Sequence, residues 1–276
     1  MAYPRNEHKP KQTFTLHLSA RLLHHRDAAM RDIMVRNGPP SVVGYNTQGI
    51  QGGKMNCVAF QFADLTASGD LASLANLSTS GLTPGQYDTM ETDAPCIMIY
   101  DGVGGYKNFY YISDAYDAGG NEVTAWANFS GDVADNTETL GTGFWLRIPE
   151  GKCNTGSLTD AGGVNMADTA TIDIAAGLTL AGNPFPMGLD FSKVTTTGIT
   201  AGAYDTMETD APCLMIYDGA GGYNNFYYIS DAYDAGGNEV TAWANFSGDE
   251  ATGSVAGVGT GFWIRSSAAG KLTFSK

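Results

Sequence analysis

The sequence predicts an all-β protein, with two tandem homologous antiparallel β-sandwich or barrel-like domains behind a basic N-terminal arm. Three observations carry this reading. Residues 87–132 and 204–249 match at 43 of 46 positions, differing only at Ile97/Leu214, Val103/Ala220 and Lys107/Asn224. Apolar and aromatic runs of strand length recur between Gly-, Asp- and Asn-containing turns, at the ~8–12-residue spacing of antiparallel folds. Helical periodicity is nearly absent from the repeated region. The exception is Ala67 to Leu77, where Leu71, Leu74 and Leu77 line one side of a predicted short helix.

The repeat sets the domain boundaries. Past its near-identical centre, Gly141 to Arg147 (GTGFWLR) matches Gly259 to Arg265 (GTGFWIR), and Ile50 to Phe62 aligns loosely with Ile174 to Pro186. The predicted division is an arm at 1–40, a first β-domain at 41–158, a linker at 159–170 and a second β-domain at 171–276. Binding and structural modules gain from repetition through avidity, whereas an enzyme rarely needs one site twice.

Within one unit, Pro95 to Tyr100 and Tyr106 to Ile112 form a predicted hairpin across a glycine-rich loop at 101–105. Ser113 to Asn121 reads as a loop, and Glu122 to Phe129 alternates as a strand. Gly143 to Ile148 and Lys271 to Phe274 supply further strands. In the arm, Ser19 caps a predicted helix running to Asn37, and Gly38-Pro39-Pro40 stops it. The arm lacks the 7–15-residue apolar run of a secretory signal. No stretch of the chain approaches the ~18 apolar residues of a membrane-spanning helix.

Charge is segregated. Residues 1–40 hold Arg5, Lys9, Lys11, Arg21, Arg26, Arg31 and Arg36 against Glu7, Asp27 and Asp32, a net of +4 within a chain total of −14. The rest of the chain holds eight basic and 26 acidic residues, a net of −18. Such a body repels phosphate, which argues against nucleic acid as its ligand. The arm reads either as a solvated terminus or as an assembly segment for an acidic neighbouring subunit.

Catalytic patterns are scarce. The four histidines, His8, His17, His24 and His25, all precede the repeat, so neither a Ser-His-Asp site nor a His-ligated zinc can be built from it. No P-loop pattern occurs, and the glycine pairs sit in hairpin loops rather than between a strand and a helix. The oxygen-rich segment with Asp114, Asp117 and Glu122, repeated at Asp231, Asp234 and Glu239, is a weak Ca²⁺ candidate without EF-hand spacing. No other cofactor is expected. Tyr110 and Trp126, repeated at Tyr227 and Trp243, are candidate sugar-stacking aromatics, or else core residues. Cys96 and Cys213 share one repeat position, and the second unit has no other cysteine, so both read as buried free thiols. A Cys57–Cys153 bridge stays open, and Cys57 aligns loosely with Ala181.

Val42-Val43-Gly44-Tyr45, Gly182-Asn183-Pro184-Phe185-Pro186, Gly141-x-Gly143-Phe144-Trp145 and Leu272-Thr273-Phe274 resemble motifs of a group of uncharacterised bacterial secreted or surface β-repeat proteins. The resemblance spans residues 41–276 and implies an extracellular or cell-surface location without known catalysis. The basic arm stands where that group carries a signal peptide. The combined expectation is a non-enzymatic structural or surface protein, self-assembling as a filament, coat or layer, with copies of itself as partner. The alternative is a carbohydrate-binding or adhesive module with glycans as partner.

Overall fold

The computed structural model describes residues 42–65 and 71–276. The helix predicted from Ser19 and the start of the one predicted at Ala67 lie outside these residues. Along the first half run β1 (Val43–Ile50), β2 (Lys54–Ala59), β3 (Phe62–Ala63), β4 (Leu71–Ser73), β5 (Leu77–Ser80), β6 (Cys96–Tyr100), β7 (Tyr106–Tyr116), β8 (Glu122–Ala127), β9 (Thr137–Thr139), β10 (Gly143–Ile148) and β11 (Gly156–Val164). Along the second run β12 (Thr169–Ile174), β13 (Gly177–Gly182), β14 (Leu189–Asp190), β15 (Val194–Thr197), β16 (Cys213–Tyr217), β17 (Tyr223–Tyr233), β18 (Glu239–Ala244), β19 (Ser254–Ala256), β20 (Gly261–Ser266) and β21 (Gly270–Ser275). One short helix, α1 (Met90–Asp93), interrupts them. The all-β class is as the sequence predicts.

Each half holds a five-stranded antiparallel sheet, in the order β2-β10-β6-β7-β8 in one and β13-β20-β16-β17-β18 in the other. A smaller sheet faces each. In the first half β11 lies between β1 and the short β3 and β5, and in the second β21 lies between β12 and β15. Alternation along the strands fills the space between facing sheets. Ile97 and Ile99 of β6 join Phe144, Leu146, Ile148 and Leu158 in one core. Leu214, Ile216, Phe262, Ile264, Leu272 and Phe274 build the other. Side chains of this size stabilise by about 1.5–3 kcal/mol each when fully buried, so these two clusters dominate the favourable side of folding.

Three local expectations are corrected. The linker predicted at 159–170 is mostly strand: residues 159–164 belong to β11, where Asp160 is paired with both Asn46 and Leu77, and β12 begins at Thr169. Only 165–168 connect the halves. The glycines of 159–164 read as linker, but Leu158 and Asp160 alternate inward and hold the strand central. Leu71 to Leu77 is not helical beyond a 3-10 turn at Leu74–Asn76, which Ser73 Oγ caps by accepting from Ala75 N at 3.1 Å. Strand, turn and strand bury Leu74 and Leu77 as well as a helix face would. Lastly, β7 continues four residues into the predicted loop, because a bulge between Ile112 and Ala115 lets Ala115 and Tyr116 keep pairing with β8.

The outward faces of the two five-stranded sheets meet each other. Trp145, Leu180 and Trp263 are buried there beside Met55, Cys57, Tyr100 and Tyr217. The contacts are reciprocal. Tyr100 meets Trp263 edge-on with ring centroids 5.0 Å apart, and Tyr217 meets Trp145 likewise at 5.2 Å. Ala59 N donates to Gly259 O at 2.9 Å, and Gly182 N donates to Gly141 O at 2.9 Å. Contacts that recur with their roles exchanged are what a twofold axis produces. The pairing of Cys57 with Trp145 and of Leu180 with Trp263 corrects the loose alignment: Cys57 corresponds to Leu180, not Ala181. All four cysteines are free; Cys57 sits in this contact and Cys153 in the first core, so the bridge between them is not formed.

Candidate functional site

The residues singled out for chemistry go elsewhere. Tyr110, Trp126, Tyr227 and Trp243 are each buried. Trp126 packs on Tyr111 at 5.3 Å, and Trp243 lies between Phe191 at 5.5 Å and Tyr228 at 5.4 Å. Of the two readings offered by the sequence, sugar-stacking surface or core, the rings lie in core clusters. The carboxylates of the weak Ca²⁺ candidates are engaged by the chain itself or stand apart. Asp117 Oδ1 accepts from Gly119 N and Asn121 N, both at 2.8 Å, and Asp234 repeats this with Gly236 N and Asn238 N. These backbone bonds hold both carboxyls below the usual carboxylate range. Asp114 and Asp231 point to Tyr87 N and Tyr204 N instead, and Glu122 reaches only Tyr116 OH at 3.5 Å. Glu239 sits at the same β18 position as Glu122 on β8, paired with Tyr233. No group of three or more His, Cys, Asp or Glu converges among the described residues.

What Asp114 builds is a different feature. The bulge in β7 turns its carboxylate toward Tyr87 N, which donates to Oδ1 at 3.0 Å and to Oδ2 at 3.2 Å. That anchors the 3-10 turn Tyr87–Thr89 ahead of α1. Met90 drives into a satellite core with Tyr110, Ile112 and Ala127. Arg147 Nη2 donates to Glu91 O at 2.7 Å and fixes the far end. Opposite lies the turn after β8, tied by Asn128 Oδ1, which accepts from Ser130 N at 2.8 Å and Asp132 N at 3.1 Å. Gly131, at φ +86°, lets the Tyr87 ring lie against this turn, since a Cβ there would come within 2.9 Å of the ring.

Between the two segments opens a notch of about 380 Å³. Its rim carries Phe129, 62% exposed, and Tyr87, 40% exposed, with Asp88 and Glu91 beside them. The second half repeats the notch at about 320 Å³ with Phe246, Tyr204, Asp205 and Glu208. Asp231 anchors Tyr204 N at 2.9 Å, and Arg265 Nη2 reaches Glu208 O at 2.7 Å. Among the described residues no Lys or Arg lines either notch. An exposed aromatic edge next to two carboxylates suits a cationic group with an apolar stem. Sequence reading missed Phe129 because it continues the alternation of Glu122 to Ala127, although β8 ends at Ala127 and Phe129 sits in the turn beyond. The one available signal was the exact repetition of Tyr87, Asp88, Glu91 and Phe129 at Tyr204, Asp205, Glu208 and Phe246.

Buried thiols complete the inventory. Burial pushes Cys96 and Cys213 up to about 11, and Cys57 higher still. None has the lowered pKa of a nucleophilic cysteine. No helix of the described residues is long and apolar enough to cross a membrane. Comparison with protein-family models, curated proteins and solved structures gives no match.

Proposed function

We propose that this chain is a non-enzymatic structural or cell-surface protein: two tandem homologous β-domains that form one rigid body and assemble with further copies into a filament, coat or layer. The observation that carries the reading is the twin notch, one exposed aromatic–acidic surface presented twice by a body whose halves lock through reciprocal contacts. The near-identity of 87–132 and 204–249 extends to exposed positions such as Phe129/Phe246 that the core does not require. Duplicated surface is useful to a protein that binds repeatedly. The absence of histidine from 41–276 favours a non-catalytic role. A place outside the cell rests on the resemblance of the VVGY, GNPFP, GxGFW and LTF segments.

Light scattering and electron microscopy of the purified full chain test the reading. Concentration-dependent growth beyond a single chain at low salt is the expected result. A strictly single chain at every concentration and ionic strength overturns it.

A further inference from the structure

We propose that the twin notches are receptor sites for the basic side chains of residues 1–40 of a second copy of this chain. This rests on the self-assembly reading above and names the surfaces that carry it.

The described body contains eight basic residues, and each is committed. Lys107, Lys152 and Lys271 pair with Glu138, Asp93 and Asp173. Arg147 and Arg265 serve the carbonyls of Glu91 and Glu208. Lys54 and Lys193 donate to the carbonyls of Gly219 and Lys276, and Lys276 lies over the Phe185 ring. Asp88, Glu91, Asp205 and Glu208 form no ion pair among these. The other seven basic residues of the chain all lie in 1–40.

Residues 41–276 carry −18, so two bodies repel, and the +4 arm is the only cationic segment the chain brings to the encounter. Chemistry of the notch matches an Arg or Lys in two ways: the rings of Phe129 and Tyr87 accept the stem and the cation face, and Asp88 and Glu91 accept the charge. One such exposed contact is weak. Two notches per body and Arg21, Arg26, Arg31 and Arg36 at intervals of five residues multiply it through avidity.

The test uses the full chain in sedimentation equilibrium at ~0.01 M and ~1 M salt, where the screening length falls from ~30 Å to ~3 Å. Three proteins are compared: the parent; a notch variant with Phe129→Ser, Phe246→Ser, Glu91→Gln and Glu208→Gln; and an arm variant with all seven basic residues of 1–40 changed to Gln. The parent is expected to rise about twofold or more in weight-average mass at low salt and to return to a single chain at high salt. Both variants are expected to remain single chains at low salt, with the parent's circular dichroism retained. A notch variant that associates like the parent overturns this proposal and leaves self-assembly standing. A parent that never associates overturns self-assembly itself. Carbodiimide cross-linking of mixed ¹⁴N and ¹⁵N chains identifies the donor. Links from Lys9 or Lys11 to notch carboxylates are expected between isotopes, and links confined to one isotope place the arm on its own body and overturn the occupant named here.

Discussion

Tyr100 and Trp263 meet edge to face, with centroids 5.0 Å apart and ring planes at 79°, and so join the first half of the chain to the second. The mirror contact, Trp145 on Tyr217 at 81°, has the same geometry. Both tryptophans are buried where the sheets meet rather than inside either sandwich core. Trp145→Ala and Trp263→Ala are each expected to cost about 3–5 kcal/mol, the range for emptying a buried aromatic site. The parent should unfold in one transition in urea. The double variant should unfold in two, seen as non-coincident fluorescence and circular dichroism curves. A double variant that still unfolds in one step would show that the halves are coupled by other contacts.

Asp160 gives a pH prediction with a definite sign. It is buried, its Oδ2 accepts from Gln61 N at 2.8 Å, and its Oδ1 has no hydrogen-bond partner among the described residues. Burial raises its pKa to about 6, outweighing backbone hydrogen bonds that pull it down. The unfolded value is ~3.9, so the folded state holds the proton more tightly. The favourable contribution is complete below about pH 4 and is lost as pH rises through 6. Relative to Asp160→Asn, the parent should therefore gain stability on acidification from pH 7 to pH 4, by an amount of order 2–3 kcal/mol at most. Urea midpoints of both proteins across that range measure it. A constant difference between them refutes the shift.

Glycine substitutions should separate two costs. Gly141, at φ +83°, offers its carbonyl to Gly182 N, and a Cβ there would lie 2.7 Å from Ile172 Cδ1. Gly102, at φ +82°, has open space around it. Gly102→Ala carries only the left-handed backbone penalty, about 1 kcal/mol. Gly141→Ala adds a steric clash at the contact between halves and should cost at least about 1 kcal/mol more. Equal losses in thermal or chemical unfolding would refute the close approach.

Thiol reactivity should report burial. Cys57, Cys96 and Cys213 have raised pKa values, so native protein at pH 8 should consume almost no thiol reagent. All four free cysteines should react once the chain is unfolded in denaturant. Rapid reaction of two or more thiols in the native state would contradict the packing. Phe129→Ser, at a 62% exposed site, should by contrast leave stability within about 0.5 kcal/mol of the parent.

The strands were legible because their side chains alternate and their turns are marked by Gly, Asp and Asn. Gly143 to Ile148 is a strand as read, and the strand read from Glu122 to Phe129 is one as far as Ala127. The meeting of the halves was not legible. Strand β10 is apolar on both faces, so Phe144 and Leu146 facing a core cannot be told from Trp145 facing the other half. Three leucines at 71, 74 and 77 satisfy a helix face and a strand–turn–strand equally, and only pairing with β9 decides between them. The acidic residues were visible, but their roles depended on the bulge in β7, which turns Asp114 toward Tyr87 and away from Asp117.

The twofold character of the contact between halves fixes the valence of the molecule. That contact closes on itself and leaves nothing on those sheet faces for another chain. The two notches are then related by a half-turn, and whatever fills one leaves its counterpart facing a different direction. On the proposed pairing each chain offers one arm and two receptors, so a reciprocal dimer already engages both arms, whereas a chain that passes its arm to a different neighbour continues the assembly. In either arrangement receptors outnumber arms two to one, and vacant notches remain.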